Sequence, residues 1–357
     1  MNTERYDRQT ILKEFGMDAQ LKLQAAKVLV VGAGGLGVPV LTYLNAMGVG
    51  TLGIVDNDVV SLSNLHRQVL YSEKDVNSSK VTVAVQKLKE QNSETEIIAL
   101  ETFLTRENAL EIITHYDLVV DASDNFPTRY LVNDSCVILN KPFVYGALHS
   151  FEGQVSVFNF EGGPTYRCLF PEMPKADEVP NCNENGVLGI VPGIIGNFQA
   201  LEVVKMITGI GETLSGKLLL CDGLSNNFQK IRFAVNPDNL NIKTLQDSYD
   251  FDCEVPVSSI SSETFHKIIE KDEVQLIDVR TPTEFERNHL SFAKNIPLSE
   301  LNERHNEISF KVPVYVVCQS GVRSRKGVEF LEGVYANANL INVEGGMNEI
   351  SKYVVKY

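Results

Sequence analysis

Along the first half of the chain, short runs of unbroken apolar residues alternate with stretches whose apolar positions recur every three or four residues. Unbroken apolar runs mark strands buried on both faces, and the intervening period is that of amphipathic helices laid over them. The runs predict strands at Val28–Val31, Leu52–Val55, Glu96–Leu100, Leu118–Asp121 and Phe143–Tyr145. Helices are predicted at Gly37–Met47, at Lys80–Gln91 after a Ser78 or Ser79 cap, at Glu107–His115 after Thr105, and at Pro127–Leu139. Strands and helices in this alternation build a doubly wound, Rossmann-like α/β sheet. From Gly153 the period drops to two, in QVSVFNF, so an antiparallel extension makes the sheet mixed. A buried helix near Gly193–Thr208 and strands near Lys217–Cys221 and Phe228–Phe233 complete this part. Val28–Val55 is uncharged and long enough to span a bilayer, but its glycines, Pro39 and Asn45 divide it into strand, turn and helix.

Two stretches lack any period. PEMPKADEVPNCNENG, Pro171–Gly186, carries three prolines and scattered charge and reads as a long loop, which in a compact domain is often functional. Asn236–Glu254 is polar throughout and reads as a linker, beyond which a second α/β pattern begins: VQLIDV, TPTEFERNHL, PVYVVC, VRSRKGVEFLEGV, NLINV. The expected organisation is a domain over 1–240, a linker over 241–255 and a small α/β domain over 256–357.

A net charge of −14 argues against a broad surface for nucleic acid or anionic membrane, since those partners need clustered Lys and Arg. The N-terminal MNTERYDRQTILKEF lacks the apolar core of a signal peptide, so the cytoplasm is the expected compartment. Six cysteines without a C-x-x-C pair make no disulfide framework, which turns attention to single thiols.

The sharpest local signal is GAGGLG. Gly32, Gly34, Gly35 and Gly37 follow a strand and open a helix, so backbone N–H groups and the helix N-terminus can meet phosphate. Asp56 ends the next strand, where a carboxylate accepts from ribose hydroxyls. Those features alone favour NAD. The following run, DNDVVSLSNLHRQVLYSEKDVNSSK, changes the choice by adding Asp58, Asn64, Arg67, Gln68 and Lys80. Two extra cations suit a triphosphate, neutralising charge on an attacked α-phosphate and on departing pyrophosphate. Asp124, in DASDN after the strand Leu118–Asp121, stands where a carboxylate would hold Mg²⁺ against those phosphates.

Together GAGGLG, DNDVVSLSNLHRQ, NSSKV and DASDNFPTR resemble the MoeB/ThiF family, adenylating enzymes for ubiquitin-like sulfur carriers that are related to ubiquitin-activating enzymes. The resemblance implies ATP with Mg²⁺, adenylation of a carrier's C-terminal Gly-Gly carboxylate, and a homodimer in which Arg8 of RYDRQ reaches the partner's ATP. By the same resemblance Cys182, in VPNCNENG, is the thiol of a crossover loop. Many members bind Zn²⁺ through two C-x-x-C pairs, one ending at YRC and one after NP. Here only Cys168 remains, with Thr165, Asn239 and Ile242 at the other places, so no zinc is expected.

CQSGVRS, Cys318–Ser324, follows a strand and opens a helix, surrounding a thiolate with N–H groups, a helix dipole and Arg323. Four residues separate Cys318 from Arg323, fewer than in the loops of cysteine-dependent phosphatases, and the tighter cradle of Gln319, Ser320, Gly321 and Val322 suits sulfur better than phosphate. With LIDVRTPTEF, HLSFAKNIPL and VEGGM, the loop resembles a rhodanese domain, which implies a persulfide on Cys318 and a core organised by Asp278 and Arg280.

The two resemblances imply one sequence: carrier adenylation, then replacement of AMP by sulfur from Cys318, through an acyl disulfide with Cys182 or directly, to give a thiocarboxylate. The implied sulfur source is a cysteine desulfurase or thiosulfate. The rival is an activating enzyme that hands on its ubiquitin-like protein as a thioester, with the rhodanese domain regulatory. Molybdopterin synthesis, thiamin synthesis and tRNA thiolation all fit the chemistry.

Overall fold

The computed structural model describes residues 3–174, 186–249, 257–269, 274–335 and 338–351. The chain divides into two units, Met1–Asp252 and Cys253–Tyr357.

The first unit is built on strands β1 (Lys27–Val31), β2 (Thr51–Val55), β3 (Glu96–Leu100), β4 (Leu118–Asp121), β5 (Phe143–His149), β6 (Glu152–Phe158), β7 (Lys217–Asp222) and β8 (Asn227–Arg232). They form one sheet in the order β3-β2-β1-β4-β5-β6-β7-β8. β1 to β5 pair in parallel and β6 to β8 antiparallel, which is the mixed, doubly wound sheet expected. Winding reverses between β1 and β4, so a crevice opens at their carboxyl ends. In register, Val31 lies opposite both Val55 and Asp121. The residues that follow these three strand ends, Gly32, Asp56 and Ala122, therefore gather at one place.

Alternation along β1 divides the core. Val28 and Val30 face a cluster with Leu41, Leu44, Ile195 and Val203, while Leu29 and Val31 face one with Tyr130, Tyr145, Phe158 and Tyr166. The helix Ile190–Thr208 is long and apolar enough to cross a membrane, but here it packs on β5, β6 and the helix Gly37–Ala46 as a core element. Val28–Val55 likewise resolves into β1, a turn, that helix and β2.

Two N-terminal helices were not predicted: Thr3–Thr10 has Tyr6 as its one apolar residue, and Gly16–Ala25 spreads its apolar residues around the axis. The first is pinned by Tyr6, which is buried and accepts from Asn92 Nδ2 at 3.1 Å. The polar stretch read as linker is partly docked on this unit. Leu245 and Tyr249 pack into its core, and the Tyr249 hydroxyl donates to Asp134 Oδ2 at 2.8 Å. Asp134 is also held by Arg167 through Nε at 2.7 Å and Nη2 at 2.8 Å.

The second unit is a parallel sheet of β9 (Ser259–Ser261), β10 (Gln275–Asp278), β11 (Ala293–Asn295), β12 (Val314–Val317) and β13 (Leu340–Glu344), in the order β11-β10-β12-β13-β9. Val314 and Val316 face one core layer, Tyr315 and Val317 the other. At the end of β10, Asp278 and Arg280 form a buried pair with Nη2 to Oδ2 at 2.7 Å, and Arg280 also donates to the Asn288 carbonyl at 2.6 Å. Asp278→Asn leaves a buried guanidinium without its counter-charge and is expected to destabilise this unit by about 3–5 kcal/mol. Hydrogen exchange across 274–350 in the full chain checks it, the account requiring faster exchange there than in 27–158.

Candidate functional site

The crevice between the β1 and β4 ends is a cleft of about 650 Å³ lined by Gly32, Gly34, Gly35, Asp56, Asp58, Asn64, Arg67, Lys80 and Asp124. Its floor is a close approach of two turns. Gly32 has φ of +101°, and a Cβ there would stand 2.7 Å from the Ala122 carbonyl oxygen, so only glycine fits. Gly37 stands behind the turn, outside the cleft lining, where a Cβ would lie 1.9 Å from the Gly32 carbonyl oxygen. Its missing side chain serves the closure of helix on strand. The helix Gly37–Ala46 has no side-chain cap, but Val38 N–H already donates to the Gly34 carbonyl at 2.9 Å and Pro39 has no N–H, so what the helix brings to the cleft is its positive end rather than a row of open donors.

Asp56 braces the glycine turn, its Oδ2 accepting from Ala33 N–H and its Oδ1 from Asp58 N–H, both at 2.8 Å. Burial pushes its carboxyl up, opposed by the Lys80 ammonium and those two N–H groups. Each oxygen keeps a lone pair for a hydroxyl donor. Lys80 opens the helix Lys80–Gln91, capped by Ser79 as expected, and its buried side chain brings Nζ to Asp58 Oδ2 at 2.7 Å. Arg67 lies over the turn, with Nη2 donating to Asn64 Oδ1 at 3.0 Å and Cδ 3.4 Å from where a Gly35 Cβ would be. Two cations thus border the same glycine turn from the β2 side.

Asp124 enters from the β4 side on a fixed turn. Ahead of it, Asp121 Oδ1 accepts from Ser123 N–H at 3.0 Å and Oγ at 2.6 Å; behind it, Asn125 Oδ1 accepts from Thr128 N–H at 2.9 Å and caps the helix Phe126–Ile138. Asp124 itself is exposed in the cleft. Among the described residues no cluster of three or more His, Cys, Asp or Glu could hold a metal. One free carboxylate fits Mg²⁺, which takes one or two protein carboxylates plus substrate phosphates and water.

Arg129 and Gln68 also line the cleft and are buried. The Arg129 guanidinium stacks 5.0 Å from the Phe126 ring centre and reaches the Ser123 carbonyl at 3.4 Å, with Nε left without a hydrogen-bond partner. Sequence reading did not single it out as a site residue, although it ends DASDNFPTR, one helical turn past the Asn125 cap. Arg8 is exposed on Thr3–Thr10 and does not line the cleft of its own chain. Cys182 lies outside the described residues. Cys168 Sγ accepts from the N–H groups of Asn236 at 3.2 Å and Thr165 at 3.4 Å, so hydrogen bonds join YRC to the NP segment.

In the second unit Cys318 directly follows β12, fully buried, and its Sγ accepts from Gly321 N–H at 3.1 Å and Ser324 Oγ at 3.4 Å. The helix Val322–Val334 starts directly after Gly321 and places its positive end at the loop. Gly346 of VEGGM closes the other side, where a Cβ would lie 2.3 Å from the Cys318 carbonyl oxygen. Gln319 is fixed between Arg280 Nη1 at 3.1 Å and Asn348 Oδ1 at 2.6 Å. Arg323 departs from the expectation of a cation serving the thiolate, because both its Nη atoms bind the Glu284 carboxylate, at 2.8 and 2.6 Å. That carboxyl is held down to about 2, chiefly by Arg323.

Comparison with known proteins agrees with both halves. The ThiF family profile matches residues 6–242, and a rhodanese-like domain matches residues 261–353. The adenylyltransferase and sulfurtransferase MOCS3 of Aedes aegypti is 41% identical over 96% of this chain and 85% of its own length. The MOCS3 protein of Mus musculus is 41% identical over 93% of this chain and 80% of its own. A sulfur carrier protein adenylyltransferase of Thermus thermophilus is 53% identical over 66% of this chain and 88% of its own. Among solved structures, E. coli MccB with ATP superposes with a TM-score of 0.59 at 26% identity, covering 66% of this chain and 73% of that one. The chain therefore belongs to the ThiF family, with a rhodanese-like domain joined on its carboxyl side.

Proposed function

We propose that this protein is an adenylyltransferase and sulfurtransferase, which uses ATP to adenylate the C-terminal glycine of a ubiquitin-like sulfur carrier ending in Gly-Gly and then converts it to a thiocarboxylate with sulfur carried on Cys318. The observation that carries the reading is that one chain joins a cleft bordered by Arg67, Lys80 and Asp124 to a cysteine cradled at a helix N-terminus. In the first step the carrier carboxylate forms a bond to the α-phosphorus of ATP and pyrophosphate leaves. The carboxylate is already the nucleophile, so the chain supplies positioning and charge: the glycine turn and Asp56 seat the nucleotide, and Lys80 and Arg67 offset charge on the phosphates. Mg²⁺ would neutralise further phosphate charge, held by Asp124. In the second step the terminal sulfur of the Cys318 persulfide bonds to the acyl carbon and AMP leaves, giving an acyl disulfide; a thiolate, for which Cys182 is the candidate on this chain, then bonds to Cys318 Sγ, the S–S bond breaks, and the thiocarboxylate leaves with the electron pair.

Pyrophosphate exchange into ATP tests the first step: it should require the carrier, and a carrier lacking its last glycine should not support it. Tight NADH binding without exchange would contradict the nucleotide assignment. The reading extends to a cytoplasmic homodimer in which Arg8 serves the partner's cleft, supported by the exposure of Arg8 away from its own. Molybdenum cofactor synthesis is the proposed pathway, one of the three that thiocarboxylate chemistry fits. A chain without structural zinc is proposed from the single thiolate at Cys168. Metal analysis of the purified protein should find less than stoichiometric zinc, and one tightly held ion per chain would show that other ligands have been recruited.

A further inference from the structure

The rhodanese-like unit holds two arginines at its cysteine loop, and both are already matched by carboxylates. Arg280 is buried against Asp278. Arg323, in the first turn of the helix that follows the loop, is clasped at both Nη atoms by Glu284, thirty-nine residues earlier in sequence. Glu284 is no loosely placed surface acid. Its Oε2 also accepts from Thr281 N–H at 3.0 Å and Thr281 Oγ at 2.8 Å, in a capping box at the start of the helix Pro282–Arg287. The carboxylate is thus fixed before it meets the guanidinium, and the pair is largely shielded, with side-chain exposures of 18% for Arg323 and 30% for Glu284. A two-pronged pair of this kind uses the geometry with which arginine would grip a small oxyanion.

We propose that Glu284 selects the sulfur donor: by occupying Arg323 it denies the loop a free cation for the dianion thiosulfate, so that Cys318 is loaded from the terminal sulfur of a protein cysteine persulfide, which brings at most one negative charge and reacts as R–S–SH. The inference rests on Cys318 being the sulfur-carrying group. With thiosulfate, the Cys318 thiolate bonds to the outer sulfur, the S–S bond of the donor breaks, and sulfite leaves with the electron pair. With a persulfide R–S–SH, the thiolate bonds to the terminal sulfur, which keeps its proton, and R–S⁻ leaves. The two routes form the same bond on Cys318 but differ in the charge that must approach Arg323. Thiosulfate brings two negative charges, and the Glu284 carboxylate both repels them and competes for their partner.

Glu284→Gln is the direct test in the full chain, because glutamine at this position still accepts from Thr281 N–H and keeps the capping box. Thiosulfate:cyanide sulfurtransferase kinetics should show kcat/KM for thiosulfate rising about tenfold, most of it in KM, as expected for one repulsive charge removed and one guanidinium released. The singly charged donor benzenethiosulfonate should gain less. In the double variant Glu284→Gln/Arg323→Gln the gain should disappear. Glu284→Asp, which keeps the charge but withdraws it from Arg323, should give a smaller gain of the same order among donors, and carries the test if the glutamine variant fails to fold. An unchanged or lower kcat/KM for thiosulfate in a folded variant, an equal rise for both donors, or a rise that persists without Arg323 would overturn the proposal. Failure of every donor, protein persulfide included, to load wild-type Cys318 would instead overturn the persulfide reading and this inference with it.

Discussion

Asp124→Ala is expected to abolish adenylation while leaving sulfur loading of Cys318 intact. The substitution removes the exposed carboxylate that the Asp121–Ser123 turn and the Asn125 cap hold at the mouth of β4. It removes little else, since the turn is fixed by its neighbours and Asp124 adds no buried surface. A metal that bridges phosphates contributes several kcal/mol of charge stabilisation, so carrier-dependent pyrophosphate exchange should fall by about a thousandfold or more. Asp124→Asn should fall nearly as far, because the amide matches the shape but not the charge. Retention of exchange within about tenfold of wild type in either variant would place the metal elsewhere.

Cys318→Ala should produce the opposite pattern. The thiol is the only one in its loop, and the Gly321 N–H and Ser324 hydroxyl that surround it have no other reactive sulfur to serve. Persulfide formation from any donor should drop to background, and pyrophosphate exchange should continue at the wild-type rate, because every residue lining the cleft proposed for ATP lies within 31–192. Cys182→Ala separates the later steps. Adenylation persists in it, and thiocarboxylate formation stops if an acyl disulfide with Cys182 is obligatory. Loss of exchange in a folded Cys318→Ala protein would show that the second unit helps to build the first site.

What could be read from the sequence follows from where the information sits. β3 and β4 and the helices Lys80–Gln91 and Val322–Val334 fall at the residues expected, because their apolar period and caps are local. The glycine turn, Asp56, Asp58, Asn64, Arg67, Lys80 and Asp124 converge on one cleft, since all lie in the segments that leave the carboxyl ends of β1, β2 and β4, on a sheet whose order the alternation already implied. Gly37 belongs to the same motif but lines no part of the cleft, and only the 1.9 Å approach to the Gly32 carbonyl explains its place. The misses are of a different kind. Arg323 pairs with Glu284 across thirty-nine residues, Tyr249 docks on Asp134 across more than a hundred, and the first N-terminal helix is held by Tyr6, whose hydroxyl meets Asn92 far along the chain. Tertiary contacts of this sort leave no period to read, and polarity alone made a docked segment look like linker.

The central claim is that one chain both activates a carrier and sulfurates it. Mass spectrometry of an intact carrier ending in Gly-Gly, incubated with the full chain, MgATP and a persulfide donor, measures that directly. The account predicts a carrier whose terminal carboxylate oxygen is replaced by sulfur, dependent on ATP, on Asp124 and on Cys318. A carrier recovered as a stable thioester on the enzyme, with no thiocarboxylate and no dependence on Cys318, would contradict it and assign the chain to conjugation instead.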